Sequence, residues 1–153
     1  MVFMRDMNDA AFERIMNQEL PDYGDTPCLD GPPLEERKIA IVTTAGIHRR
    51  ADAPFTNGVG EYRIIPEDAD MADLIMSHVS NNFDRVGFQQ DLNVVFPIER
   101  LREMVADGAV GSLAGYHYAF MGATPPTAHE AVARDLAGLL KGDGVDGVLL
   151  AGV

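Results

Sequence analysis

The residue types able to do chemistry gather in one stretch, residues 77–104, SHVSNNFDRVGFQQDLNVVFPIERLREM. His78, Asn81, Asn82, Asp84, Asp91 and Asn93 crowd its first half. A histidine exchanges protons near neutral pH, while amides and carboxylates hold polar groups by hydrogen bonds. Together they suit acid–base chemistry on a small polar molecule, or its binding. Asn and Asp also bond their own backbone in turns, so ordinary turn chemistry is the competing reading. Length argues for function, because structureless loops beyond about 12–15 residues are uncommon unless functional or disordered. His48 is the second candidate. It follows the run KIAIVTT, residues 38–44, and ligands of open α/β sheets gather beyond the carboxyl ends of strands.

An α/β frame must position these groups. KIAIVTT is continuously apolar and β-branched, as expected of a strand buried on both faces. Residues 49–61 are rich in turn formers, residues 62–65 make a brief strand stopped by Pro66, and Asp70 caps a short turn reaching Leu74. After the long loop, Pro97 opens a helix whose apolar face is Ile98, Leu101, Met104 and Val105, with Gly108 to end it. Residues 116–121 form a second strand. A further helix starts either at a Thr127-x-x-Glu130 capping box or one turn earlier at Thr124-Pro125-Pro126. It puts His129, in its first turn, in solvent. Residues 145–153, VDGVLLAGV, give a third buried strand. The expected fold is α/β, a three-layer sandwich fragment with a mostly parallel sheet built from Rossmann-like βαβ units.

Ahead of this frame, residues 1–20 read as a short helix with a narrow stripe of Phe3, Met7, Ala11 and Ile15, ended by Pro21. Residues 22–33 form a wrapping loop that contains Cys28, read as an incidental thiol. The organisation is therefore an N-terminal helix and loop over 1–35 and an α/β domain over 36–153. A length of 153 residues fits one domain, and 46% hydrophobic residues supply a core. A net charge of −12 with no basic cluster speaks against nucleic acid. The sequence has no apolar run long enough to span a bilayer, no leader-like core in residues 1–17 and a single cysteine, so a cytoplasmic protein is expected. The last strand stops without a following helix, as either a natural terminal strand or a chain cut short at the ligand-binding edge of the sheet would.

The chain resembles the selenoprotein B family of the glycine, sarcosine, betaine and D-proline reductases. The resemblance rests on VTTAGIH (42–48), YRIIP (62–66), Ser77-His78, DLNVVFPIERLRE (91–103), HYAFMG (117–122) and DGVDGVLLAGV (143–153), in order over residues 36–153. Family members continue past the last strand into a selenocysteine or cysteine, with a further cysteine shortly after. The resemblance therefore implies truncation just before that residue, as when a UGA codon is read as stop, and an inactive chain as it stands. It implies reductive cleavage of a carbon–nitrogen bond. A selenol attacks the α-carbon of a small amino acid or amine activated, in several members, by a pyruvoyl group on a partner subunit. No cofactor is expected in this chain itself. His48, His78 and His117 become the candidates for proton transfer or for stabilising the selenolate. Asn81, Asn82, Asp91 and Asn93 become candidates for substrate contacts. Partners would be other reductase subunits or further copies of the chain, with neither nucleic acid nor membrane. The polar loop should then converge on the carboxyl end of the last strand, with His117 farther away.

Two other classes fit less well. A metal-dependent enzyme would draw its ligands from His48, His78, Asp84, Asp91 and His117, mixed types that bind zinc or iron, but no tight ligand spacing supports it. A non-catalytic α/β assembly module would use the sheet edge to pair with another chain.

Overall fold

In the computed structural model, the described residues are 7–17, 21–22, 24, 29–80 and 84–153. Helix α1 (Asp9–Met16) leaves Phe12, Ile15 and Met16 exposed; Phe3 and Cys28 lie outside the described residues.

Strand β1 (Lys38–Thr43) is the centre of the sheet, and Ile39, Ala40, Ile41 and Thr43 are buried. The remaining strands are β2 (Ile47–Arg49), β3 (Arg63–Pro66), β4 (Leu74–Met76), β5 (Ser112–Leu113), β6 (Tyr116–Ala119) and β7 (Gly147–Ala151). On one side of β1 runs β7, parallel, with Ile39 opposite Gly147 and Thr43 opposite Ala151. On the other side β5 and then β6 pair with it, both parallel. β3 adds an antiparallel edge to β6. The strands expected near 38–45, 116–121 and 145–152 are thus parallel, with β1 between the other two. β2 and β4 make a separate antiparallel pair with His48 opposite Ile75.

Alternation along β1 sends successive side chains to opposite faces, and each face receives a helix. Ile39 and Ile41 join Ile65, Phe96, Val110 and Ala119 beneath Ile98 and Leu101 of helix α3 (Ile98–Ala106), which follows the short helix α2 (Val86–Gln90). On the opposite face Val42, Tyr62, Tyr118 and Phe120 pack under Val132, Leu136 and Leu140 of helix α4 (Pro126–Gly142). Three layers result. Burying each such Ile, Leu or Phe stabilises the fold by about 1.5–3 kcal/mol.

Several expectations need correcting. Of the described residues in 77–93, 86–90 form α2 and 92–93 lie in a 3-10 turn (Leu92–Val94), while 77–80, 84–85 and 91 are irregular. The Thr127 capping box does not form. α4 begins at Pro126 with Pro125 before it, because the proline ring is already set for the first turn, and Glu130 pairs instead with Arg134 at 2.8 Å. His129 is only partly solvated: half-buried, its ring meets Phe120 edge-on at 5.0 Å and Nδ1 donates to Gly60 O at 3.4 Å. The strand at the C-terminal end is not buried. Val148 is 41%, Leu149 38% and Leu150 74% exposed, since β7 pairs with β1 alone among the described strands.

Candidate functional site

Three parallel strands deliver their carboxyl ends to one edge of the sheet. Past β1, Thr44 N–H donates to Ala151 O at 3.0 Å, and Thr44 O accepts the Gly122 N–H at 2.8 Å. Val153 N–H donates to Thr44 Oγ1 at 3.0 Å. Gly46 N–H donates to Phe120 O at 2.8 Å, and its carbonyl accepts the Ser77 N–H at 3.0 Å. This last bond ties the start of the polar loop to the same edge. Gly46 has φ +67, and a Cβ there would meet the His78 backbone at 3.2 Å, so only glycine lets His78 approach so closely.

The three histidines differ in what their nitrogens do. His48 is buried on β2, edge-on to Phe55 at 6.1 Å. Its Nδ1 lies 2.8 Å from Arg49 O; a carbonyl only accepts, so Nδ1 carries the proton. Nε2, the other ring nitrogen, is buried and without a hydrogen-bond partner among the described residues. A buried polar atom left without a partner is uncommon, which keeps His48 a candidate. Phe55 is held in turn by Ser77 Oγ, which accepts its N–H at 2.8 Å, and by the Arg63 guanidinium 4.6 Å over its ring. His78 is buried too, and its Nδ1 accepts the Ser80 N–H at 3.2 Å. Burial, followed by the positive charge of Arg85, holds it below the ordinary histidine pKa.

His117 lies lower in the sheet, opposite Ile65 and one residue before the Val42–Tyr118 pair. Between β5 and β6 the chain detours through Ala114 and Gly115, and the ladder to β1 is interrupted. The His117 ring fills the gap: Nδ1 accepts the Ile41 N–H at 3.0 Å. Burial pushes its pKa down to about 4, with Glu67 opposing and Arg102 adding to the shift. His117 is therefore neutral at pH 7.

Comparison with known proteins settles the lineage. The model of the glycine/sarcosine/betaine reductase selenoprotein B family matches residues 6–153. The chain belongs to that family. Its relatives include the D-proline reductase subunit gamma of Acetoanaerobium sticklandii, 35% identical over 120 residues, 76% of this chain and 49% of that protein. The glycine reductase complex component B subunit gamma of Carboxydothermus hydrogenoformans is 32% identical over 123 residues, 76% of this chain and 28% of its own length. The betaine reductase complex component B subunit beta of Peptoclostridium acidaminophilum is 28% identical over 123 residues, with the same coverage. The chain thus spans about half the length of the first relative and under a third of the other two. No solved structure matches it significantly.

Within this selenoprotein B-family chain, much of the loop's polarity is spent on the loop itself. Asp84 Oδ1 accepts the Val86 N–H at 2.9 Å at the start of α2. Asp91 Oδ1 accepts the Asn93 N–H at 2.9 Å and its side-chain amide at 2.9 Å; those bonds hold its carboxyl below the usual carboxylate range. Asn93 reaches onward to α3, its Oδ1 accepting the Glu99 N–H at 3.1 Å and its Nδ2 donating to Glu99 Oε2 at 2.7 Å. Arg85 draws the loop together by donating to His78 O at 2.7 Å and Ser80 O at 3.1 Å. Asn81 and Asn82 lie outside the described residues. Among the described residues no three of His, Cys, Asp and Glu assemble as a metal site, so the metal-enzyme alternative is not favoured. No described helix is long and apolar enough to cross a membrane.

Two concavities lie elsewhere. A cleft of about 360 Å³ between Glu67, Arg102, Ser112 and Gly115 opens near the start of β5. An open groove of about 460 Å³ runs along α4 past Pro126, Glu130, Ala133 and Ala137. Neither is lined by Thr44, His48, His78 or Val153. The sequence reading missed Thr44, Gly46 and Gly122 as site residues. A hydroxyl and two glycines just past strand ends were the available signal.

Proposed function

We propose that this chain is part of a selenocysteine- or cysteine-dependent reductase cleaving a carbon–nitrogen bond of a small amino acid or amine. It would work in the cytoplasm with other reductase subunits or a second copy of itself. One observation carries the reading: the blocks holding Thr44, Ser77-His78, Gly122 and Val153, far apart in sequence, meet at one edge of the sheet through backbone and hydroxyl bonds. The family's redox residue would follow Val153 and supply a deprotonated chalcogen for attack at the substrate's α-carbon. A pyruvoyl group, where the reaction needs one, belongs on a partner subunit.

The remaining work falls to residues of this chain. His48 presents a buried Nε2 that takes up or relays a proton. His78, held at the edge by Gly46, would first take up a proton and then pass it to the leaving amine. Asn81 and Asn82 are the proposed substrate contacts. Asp91 and Asn93 hold the loop in shape around it, and His117 keeps β1 and β6 together.

Genomic sequence past codon 153 and reconstitution with partner subunits test this reading. The expected result is an in-frame UGA or cysteine codon, and amine release by the complete assembly. His48→Asn and His78→Asn should each lower turnover by about 10²-fold or more. The 153-residue chain alone should be inactive, and Cys28→Ser should change nothing in the assembly. Turnover by the 153-residue chain that vanishes on Cys28→Ser would overturn the proposal.

A further inference from the structure

We propose that Thr44 and Gly122 are a positioning pair that fixes the direction in which the polypeptide leaves β7, and so aims whatever group follows Val153. This rests on the reading that the redox residue lies there. The regular ladder between β1 and β7 ends at Thr43 and Ala151, and the last backbone bond is Thr44 N–H to Ala151 O. A strand end beyond its last ladder bond frays. Here the Thr44 hydroxyl extends the ladder. Oγ1 accepts the Val153 N–H at 3.0 Å and lies 3.4 Å from Val153 O, to which it donates. Thr44 also bonds the β6 end through Gly122, so one residue ties together three strand ends.

Gly122 closes the other side. A Cβ there would stand 2.9 Å from Val153 O and 3.0 Å from Thr44 Cβ and Oγ1. Two of those atoms are the β-carbon and hydroxyl of a side chain stiff at its first torsion, so a side chain at position 122 would push the Val153 end of the strand away from Thr44. The arrangement calls for a hydroxyl at position 44 and no side chain at position 122. Positioning of this kind matters to a displacement reaction because an ångström of misplacement costs about 10²-fold in rate.

Two measurements separate the clamp from the function. In the 153-residue chain, amide exchange at Val153 should quicken about tenfold in Thr44→Val, the loss expected for one hydrogen bond. The amides of Ile41 and Val42 should be unchanged, and Thr44→Ser should restore protection. Gly122→Ala should also expose the Val153 amide. In the reconstituted full-length assembly, Thr44→Val should lower kcat about 10²-fold with KM nearly constant, and Thr44→Ser should recover most of it. Unaltered exchange at Val153 in Thr44→Val would overturn the clamp, whatever the activity. Altered exchange with undiminished kcat would overturn the positioning role. A wild-type assembly that folds but turns over no amine would sink the functional reading while exchange still judged the clamp.

Discussion

His117 shows how a residue suited to catalysis can be committed to structure. One ring nitrogen is held by the Ile41 N–H, and the ring is fully buried edge-on to Phe96 at 5.7 Å. His117→Leu should cost about 1–3 kcal/mol beyond its packing change, because a buried N–H is left without a partner. His117→Gln, which keeps an acceptor, should cost less; urea unfolding at pH 7 compares them. The pH dependence has a definite sign. Unfolded, His117 takes its proton near 6.5, but folded it resists until about 4. The stabilisation is complete above pH 6.5 and lost as pH falls from there through 4, by about 3 kcal/mol. His117→Gln should flatten that part of the stability profile, and an unchanged slope would refute the assignment. None of this was legible in the sequence, since the gap that His117 fills exists only once β5 and β6 share one side of β1. His48 and His78 were legible as candidates because one follows a strand and the other opens a polar loop. Thr44 was not, because its bond to Val153 joins residues 109 apart.

At the scale of elements, α3 is held at both ends of its approach. Phe96, 1% exposed, anchors the turn before it, and Phe96→Ala should destabilise the chain by about 3–5 kcal/mol through the cavity left behind. Asn93 bonds the first turn through Glu99, and Asn93→Ala should cost about 1 kcal/mol, as loss of a cap does. Thermal unfolding measures both. If Asn93 serves only to cap, the reconstituted reductase should lose stability in Asn93→Ala without a change in kcat/KM below the melting range. β1, α3 and α4 could be read from apolar runs, helical spacing and prolines. β2, β4 and β5, of two or three residues each, are too short to show a period. The α2 segment, VGFQQ, carries no stripe that would distinguish a helix from a loop.

For the whole molecule the decisive feature is β7, whose outer edge has no neighbouring strand among the described residues and whose Val148, Leu149 and Leu150 face solvent. Exposed edges with apolar side chains recruit other strands. The 153-residue chain should self-associate in sedimentation velocity, more strongly as salt screens its net charge of −12. Leu150→Lys should shift it toward monomer; a wild-type chain monomeric at all salt concentrations would contradict this. The same pairing has a consequence in time. The residues of β7 that cover β1 lie more than a hundred positions downstream, as the 108-residue span of the Lys38–Asp146 bond shows. At roughly 5–20 residues per second, a ribosome needs about 5–20 s to supply them. Throughout that interval the nascent chain carries its central strand with one side unzipped, so birth, rather than heat or acid, is when this protein is most exposed to capture by chaperones.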